Sequence, residues 1–279
     1  MIASPENVRT IGTGLDHPEC LCLGRDGNLY AGGEAGQIYR VARDGSSQKQ
    51  IASTGGFVLG VTMDGNDRLH VCDLGKTAVL MVDQDGKVSE RSSGTATTKM
   101  RVPNYNAFDS AGNLYVSDSG DYFDKTGTGC IFVIRPSGKT ELFHKGPLKF
   151  ANGLAVSPDE KWLYIVQSTA FNVVRVPLGK PDGPVEVTHQ LPQYTVADGI
   201  AFSDDGRLVI ACYRPDVVYL GHPNGSVEVL IEDFGGELLS RPANVAIGDG
   251  ELFISNLGGW HLSAVKFPLR GASLQYPKL

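Results

Sequence analysis

Two carboxylates and two carboxamides occupy one repeated position of this chain. A short phrase, consisting of an apolar strand, a turn rich in Asp, Gly or Asn and a second apolar strand, occurs six times. When the copies are aligned on a Leu of the second strand, one column of the first strand holds Glu19, Leu59, Asn104, Asn152, Asp198 and Ala243. If equivalent positions of the repeat meet at one point, their oxygen atoms can bind a hard divalent cation.

Calcium is the cation that this column favours. It takes roughly six to eight oxygen ligands and accepts carboxylates, amide carbonyls and water. Glu19 and Asp198 would balance its charge, while Asn104 and Asn152 would add neutral oxygens. The column holds no His or Cys, which disfavours zinc, although such a site also admits Mn²⁺, Mg²⁺ or Zn²⁺ as substitutes. The alternative is that these polar side chains only face trapped water.

The spacing of the column indicates the fold that positions it. Its members follow one another at intervals of 40 to 48 residues, and a run of β-branched and aromatic residues follows every phrase. Units of this length with four strands and no helix are typical of propeller blades. We therefore predict an all-β fold, a six-bladed β-propeller of four-stranded antiparallel blades, with the column on the innermost strands.

The two ends of the chain are predicted to complete the last blade together. No fourth strand is evident after Phe267, whereas the apolar run 8–11 has no partner of its own. Because an open propeller leaves exposed sheet edges, we predict that the N-terminal strand closes the last blade. The repeats continue almost end to end without a linker, so residues 1–279 are predicted to form a single domain.

Charge and hydropathy exclude several classes of partner. The chain has 25 Lys and Arg against 31 Asp and Glu, a net charge of −6, and no basic run. Nucleic acid and anionic membrane surfaces are therefore disfavoured. No apolar stretch approaches the length of a membrane span, and the first residues lack the features of a signal peptide. We predict a cytoplasmic protein, as a monomer or a homodimer.

Four short motifs carry a family resemblance. Pro18-Glu19, Pro103-Asn104, the stretch 152–155 and Asp198-Gly199 resemble the metal-binding positions of the superfamily of gluconolactonase, senescence marker protein (regucalcin) and luciferin-regenerating enzyme. The resemblance covers nearly the whole chain and implies a six-bladed propeller with a divalent cation, usually calcium. It implies an enzyme that hydrolyses a lactone or related small ester, whose carbonyl the metal polarises.

The resemblance also implies roles for single residues. Glu19, Asn152 and Asp198 would be the core metal ligands, and Asn104 a fourth ligand or a substrate contact. As a separate hypothesis about the mechanism, we predict that Asp198 is also the catalytic residue, which orients or deprotonates the attacking water.

The chain departs from the family pattern at two points. Sugar lactonases of this family commonly carry an Arg two residues before the equivalent of Asn104, whereas Arg101 stands three residues before it. The stretch Pro18-Glu19-Cys20 is closer to the strictosidine-synthase-like branch. Gluconolactone is therefore not implied as the substrate, and two alternatives stay open: a propeller that only binds a small molecule or a protein, and a strictosidine-synthase-like enzyme.

The loops at the ends of the second strands are predicted to face the substrate, a small lactone or ester. The candidate substrate-binding residues are Asn104, Arg101, Asp118, Asp121, Tyr122, Tyr213 and His261. His261 is either a general acid or base, or a packed histidine. The segment from Asp118 to Gly129 is long enough to form a lid, and an ordinary blade hairpin is the alternative.

Overall fold

Six four-stranded antiparallel sheets make up the structure, a computed structural model that describes residues 5–121 and 127–279. Short, largely apolar runs form the inner strands of each blade, and turns of the Asp-Gly and Asn-Gly type connect many of the strands. The glycine of such a turn takes a positive φ, as Gly27 and Gly206 do, at no steric cost. The predicted six-bladed β-propeller is confirmed.

Each blade runs from an inner to an outer strand in chain order. Blade 1 consists of β2 (Leu21–Leu23), β3 (Leu29–Gly32), β4 (Gln37–Val41) and β5 (Gln48–Ser53). Blade 2 consists of β6 (Val58–Met63), β7 (Leu69–Asp73), β8 (Ala78–Val82) and β9 (Val88–Ser92). Blade 3 consists of β10 (Pro103–Phe108), β11 (Leu114–Asp118), β12 (Gly129–Ile134) and β13 (Thr140–Leu148).

Blades 4 to 6 repeat this order, and blade 6 borrows its outer strand from the start of the chain. Blade 4 consists of β14 (Ala151–Val156), β15 (Trp162–Gln167), β16 (Asn172–Pro177) and β17 (Glu186–Gln190). Blade 5 consists of β18 (Val196–Phe202), β19 (Leu208–Arg214), β20 (Val217–Gly221) and β21 (Val227–Glu232). Blade 6 consists of β22 (Pro242–Ile247), β23 (Glu251–Asn256), β24 (His261–Lys266) and β1 (Arg9–Thr13).

The inner strands form a closed ring around the axis. β2, β6, β10, β14, β18 and β22 each pack against the next, and β22 packs against β2. Six apolar clusters fill the spaces between adjacent blades. Since every blade buries one face against each neighbour, inner strands such as β6 and β7 are buried on both sides, whereas outer strands such as β5 are partly exposed.

The predicted closure by the N-terminal strand is confirmed. β1 pairs antiparallel with β24, with Arg9 opposite Ala264 and Thr13 opposite His261. Ile11 of β1 and Phe253 of β23 are buried in the cluster between blades 6 and 1. The strand spans residues 9–13 rather than the predicted 8–11, because pairing with β24, and not hydrophobicity alone, determines its ends.

The segment 271–279 covers one end of the central channel, which the sequence did not predict. The Ala272 backbone N–H donates to Phe202 O of blade 5 (2.9 Å), the Tyr276 hydroxyl donates to Leu23 O of blade 1 (2.7 Å) and the Gly65 N–H of blade 2 donates to Pro277 O (2.8 Å). Above the segment lies a cavity of about 150 Å³, lined mostly by apolar side chains from the far ends of the inner strands.

Helix is confined, in the described ranges, to two short 3₁₀ turns at Pro5–Asn7 and Ser168–Ala170. Within residues 5–121 and 127–279, no helix has both the length and the apolar character needed to cross a membrane.

Candidate functional site

The predicted column lies at the beginning of the inner strands, at the end of the channel opposite the segment 271–279. Its members are Asn104, Asn152, Leu59 and Ala243, each the second residue of its strand, Asp198, the third residue of β18, and Glu19, two residues before β2. Four polar and two apolar side chains therefore border this end of the channel, and we call them the channel ring.

Glycines bring neighbouring blades together at this level. Gly60, Gly153 and Gly199 each follow a ring residue, and a Cβ atom on them would lie 2.5 Å from Asn104 O, 2.3 Å from Asp198 O and 2.8 Å from Ala243 O, respectively. Such distances are far inside van der Waals contact, so only glycine allows the adjacent backbones to approach this closely. The ring residues of consecutive blades therefore stand side by side.

Gly153→Ala tests this close approach. The added methyl group would collide with two backbone positions, Asp198 O at 2.3 Å and Gly199 Cα at 2.7 Å. We expect the free energy of unfolding, measured by urea denaturation, to fall by about 1–3 kcal/mol, the usual cost of overpacking. Gly179→Ala is the control, because nothing lies within 4 Å of its added Cβ. A Gly153→Ala variant as stable as this control contradicts the packing described.

Glu19 and Asp198 form a pair of carboxyl groups with perturbed acidity. Burial, the negative charge of Asp198 and that of Glu34 raise the pKa of Glu19 well above its usual range. Burial raises the pKa of Asp198 to about 7, although a hydrogen bond from the Asn152 side chain partly offsets this. Three of the four predicted polar residues thus influence one another directly.

The raised pKa of Asp198 has a consequence for stability without a cation. A carboxyl group that binds its proton more tightly in the folded state makes the protein less stable as the pH rises from its ordinary pKa near 4 to the raised value. Ionised Asp198 therefore opposes folding near pH 7 and above, and a positive charge beside it would remove this cost.

The carboxamides of the ring are held by serines. Asn104 Nδ2 donates to Ser119 Oγ and Asn152 Nδ2 donates to Ser168 Oγ, both at 3.1 Å. All four residues are buried. Neither serine was predicted from the sequence, although each of them follows the second strand of a blade whose ring residue is Asn.

Polar residues at the ends of the second strands hold the loops that precede the ring. Asp118, which was predicted to contact substrate, accepts hydrogen bonds from the backbone N–H groups of Arg101 (2.7 Å), Val102 (3.2 Å) and Gly120 (2.8 Å). Burial raises the pKa of Asp118, and these hydrogen bonds lower it in part. Asp73 accepts equivalent bonds from the Phe57 and Lys76 N–H groups in blade 2.

The other predicted substrate residues lie on the same side of the propeller. Arg101 and Asp121 are exposed, and Tyr213 is half-buried with the Arg241 guanidinium 5.5 Å from its ring centre. Both ring nitrogens of the buried His261 face carbonyl oxygens, Nδ1 that of Gly259 (2.9 Å) and Nε2 that of Leu238 (3.2 Å). Tyr122 and part of the predicted lid, residues 122–126, lie outside the described residues.

A second polar group, which the sequence did not indicate, lies beside Glu19. His17 Nδ1 is 2.9 Å from Asp16 Oδ1 and 3.0 Å from Glu34 Oε2, and its ring is 4.5 Å from that of Trp260. Glu34 occupies the repeat position that Ser119 and Ser168 hold in their blades. Since the charge of Glu34 reaches Glu19, this group adjoins the channel ring.

A six-bladed propeller with Glu, Asn and Asp at the head of its inner strands is the class of protein that fold and site define. Residues 29–255 match the family model described as the SMP-30/Gluconolactonase/LRE-like region, and the chain belongs to this family. A shorter match, over residues 6–41, is to the N-terminal region of strictosidine synthase-like proteins. This second match includes Pro18-Glu19-Cys20.

Curated relatives that match most of the chain carry the name lactonase drp35. The protein of Staphylococcus haemolyticus is 26% identical over 253 residues, which cover 85% of this chain and 77% of the relative. The protein of Staphylococcus saprophyticus is 26% identical over 279 residues, with 91% and 84% covered.

Solved structures share the fold. A Xanthomonas campestris gluconolactonase, XC5397, superposes with a TM-score of 0.80 at 19% identity and covers 94% of this chain and 89% of its own. A luciferin-regenerating enzyme gives 0.81 at 16% identity, with 98% and 99% covered. Agrobacterium tumefaciens regucalcin, described as a calcium-binding protein, gives 0.75 at 15%, with 97% and 98% covered.

Proposed function

We propose that this protein is a divalent-cation-dependent hydrolase of a lactone or related small ester. One observation carries the proposal: Glu19 and Asp198, from blades far apart in the chain, are close enough in the channel ring for the charge of one to raise the pKa of the other. Placing two ionised carboxylates close together with little access to water costs free energy, unless a cation lies between them or they share a proton.

The donor set fits a hard cation. Glu19 and Asp198 supply two negative charges, and the side-chain oxygens of Asn104 and Asn152 supply neutral donors. Oxygen donors of this mixture suit calcium, with Mn²⁺, Mg²⁺ or Zn²⁺ as substitutes. The calcium-binding description of the regucalcin relative supports this choice.

The residues of the channel ring then have different roles in ester hydrolysis. When bound, the cation supplies a Lewis acid that polarises the ester carbonyl and favours ionisation of water. Asp198 accepts a hydrogen bond from the attacking water and orients it, while Asn152 donates to Asp198 and holds that carboxylate in place. Asn104 orients the substrate or completes the ligand set. Leu59 of blade 2 and Ala243 of blade 6 flank Glu19 of blade 1 in the ring and supply apolar surface for the body of the substrate.

The substrate class rests on the relatives. Their name, lactonase drp35, and the gluconolactonase among the solved structures support lactone hydrolysis by this chain. Arg101 is exposed, and its backbone N–H donates a hydrogen bond to Asp118. It stands three residues before Asn104, one residue further than the equivalent Arg of sugar lactonases. We therefore propose a lactone or ester other than gluconolactone.

A panel of lactones and aryl esters tests the function. The purified protein in millimolar calcium is expected to hydrolyse at least one lactone, followed by pH-indicator absorbance or by the released acid. Calcium-dependent stabilisation without turnover of any ester indicates a binding propeller instead. Condensation of an amine with an aldehyde, unaffected by chelators, indicates the strictosidine-synthase-like alternative that the match over residues 6–41 favours.

A further inference from the structure

Serine follows the second strand in only two blades, and these are the blades whose ring residue is Asn. Five residues after the Leu that aligns the repeats, the six blades carry Glu34, Leu74, Ser119, Ser168, Tyr213 and Leu257. The ring residues of the same blades are Glu19, Leu59, Asn104, Asn152, Asp198 and Ala243. At these two repeat positions, blades 3 and 4 thus carry both Asn and Ser, and the other four blades carry neither.

Ser119 links blade 3 to blade 4. Its Oγ accepts a hydrogen bond from Asn104 Nδ2 (3.1 Å) and donates one to the Ala151 carbonyl oxygen (2.8 Å). Ala151 directly precedes Asn152 on β14. The side chain is 1% exposed, so water does not compete for these contacts.

Ser168 makes the same two contacts between blades 4 and 5. Its Oγ accepts from Asn152 Nδ2 (3.1 Å) and donates to the Ala197 carbonyl oxygen (2.7 Å). Ala197 directly precedes Asp198 on β18. The two serines therefore connect three consecutive polar members of the channel ring.

These bonds determine which way each carboxamide points. A serine hydroxyl has one hydrogen, and in both serines that hydrogen is committed to a backbone carbonyl. The hydroxyl can then only accept a hydrogen bond, so the NH₂ end of the carboxamide must face it. A flipped carboxamide would place its oxygen against the hydroxyl oxygen without a hydrogen between them. In Asn104 and Asn152 the carboxamide oxygen is thereby kept away from the serine.

We infer that Ser119 and Ser168 are positioning residues that present the carboxamide oxygens of Asn104 and Asn152 to the divalent cation. This inference rests on the proposed function, because it assigns a role toward the cation of that site. Partners of metal ligands commonly orient the ligand before the ion binds, and their loss weakens metal affinity. The hydroxyl bonds to Ala151 and Ala197 also fix the next ring residue relative to the carboxamide.

Calcium titration by isothermal calorimetry of the free protein, with no substrate present, tests the role. Ser119→Ala and Ser168→Ala are each expected to weaken calcium binding roughly 10- to 100-fold. Ser117→Ala is the matched control: Ser117 is also buried at the end of β11, but among the described residues its hydroxyl contacts the backbone N–H (3.0 Å) and O (3.3 Å) of Tyr105 and no ring carboxamide. Its calcium affinity is expected to stay within about threefold of wild type, because no ring carboxamide depends on it.

A double-mutant cycle separates positioning from a general loss of structure. Once Asn152→Ala has removed the carboxamide, adding Ser168→Ala is expected to cost far less calcium affinity than it does in the wild-type protein, because only the bond to Ala197 is then lost. An equal cost in both backgrounds, or serine variants that bind calcium like Ser117→Ala, overturns the inference. Wild-type protein that binds no divalent cation overturns the proposed function itself, and the inference with it.

Wild-type protein provides a measurement that needs no folded variant. In the metal-free state, the side-chain NH₂ hydrogens of Asn104 and Asn152 are expected to give resolved NMR signals that exchange slowly with water, since each donates to a buried serine. Signals that exchange as fast as those of exposed Asn224, or that become protected only after calcium is added, contradict a carboxamide oriented in advance.

Discussion

Asp198→Asn is expected to abolish lactone hydrolysis, with kcat reduced by about 1000-fold or more. The substitution keeps the size of the side chain but removes the negative charge that, in the proposed mechanism, orients the attacking water and binds the cation. The same change is expected to raise the stability of the metal-free protein above pH 7, because burial raises the pKa of Asp198 to about 7 and its ionisation opposes folding. Loss of activity together with a gain in stability is a pattern that simple unfolding cannot produce.

The two effects are measured separately. Initial rates with calcium in excess report the chemistry, and urea denaturation at pH 8 with a chelator reports the stability. Asp204→Asn serves as the control, since Asp204 is an exposed residue of a blade turn and both quantities should stay near wild type. Near-normal turnover by Asp198→Asn with calcium bound rules out the orienting role of Asp198.

Chelation is expected to stop hydrolysis completely, and added calcium is expected to restore it. The reason is that the half-buried Glu19 and the buried Asp198 otherwise lie close enough for the charge of Asp198 to raise the pKa of Glu19. Saturating calcium should also stabilise the fold: at about 1000 times the dissociation constant the gain is ~4 kcal/mol. For a chain of this length that corresponds to a rise in Tm on the order of 10 °C.

Rates and Tm are followed after dialysis against EDTA and again with calcium, manganese or magnesium. Glu19→Gln provides the matched variant, because it keeps the shape of the ring but leaves a single carboxylate there. It is expected to require far more calcium for both activity and the Tm gain. Turnover that survives exhaustive chelation excludes a metal-dependent hydrolase, even if the lactone panel gives a substrate.

The fold could be predicted because its information is repeated along the chain. Six alignable phrases specify six hairpins, and Asp-Gly turns mark their ends, so strand number and blade number follow from local pattern. Strand ends follow less well: β13 extends to Leu148, although the apolar residues Leu142 and Phe143 are followed by His, Lys, Gly and Pro at positions 144–147. Pairing with β12, where Gly129 lies opposite Leu148, determines that length, and such pairing is not a property of a single segment.

For the candidate site, the sequence indicates the ring positions but not the residues that contact them. The channel ring could be placed because its members share one repeat position, but the partners of each member lie in other blades. Ser119 reaches Ala151, and Glu34 and His17 meet beside Glu19, through contacts that no local spacing encodes. Asp118 is predicted to bind substrate from its residue type and position, and its hydrogen bonds from three backbone N–H groups could not be predicted in the same way. Blade-to-blade contacts therefore have to be seen in three dimensions.

The pairing of β1 with β24 bears on when the protein could bind the proposed cation during synthesis. Blade 6 stays incomplete until residues 261–266 have left the ribosome, because its outer strand is made first and its neighbouring strand last. Glu19 is made early, and it meets Asp198 only when blade 6 packs against blade 1. A nascent chain that stops short of β24 would thus carry every proposed ligand and still hold no ion.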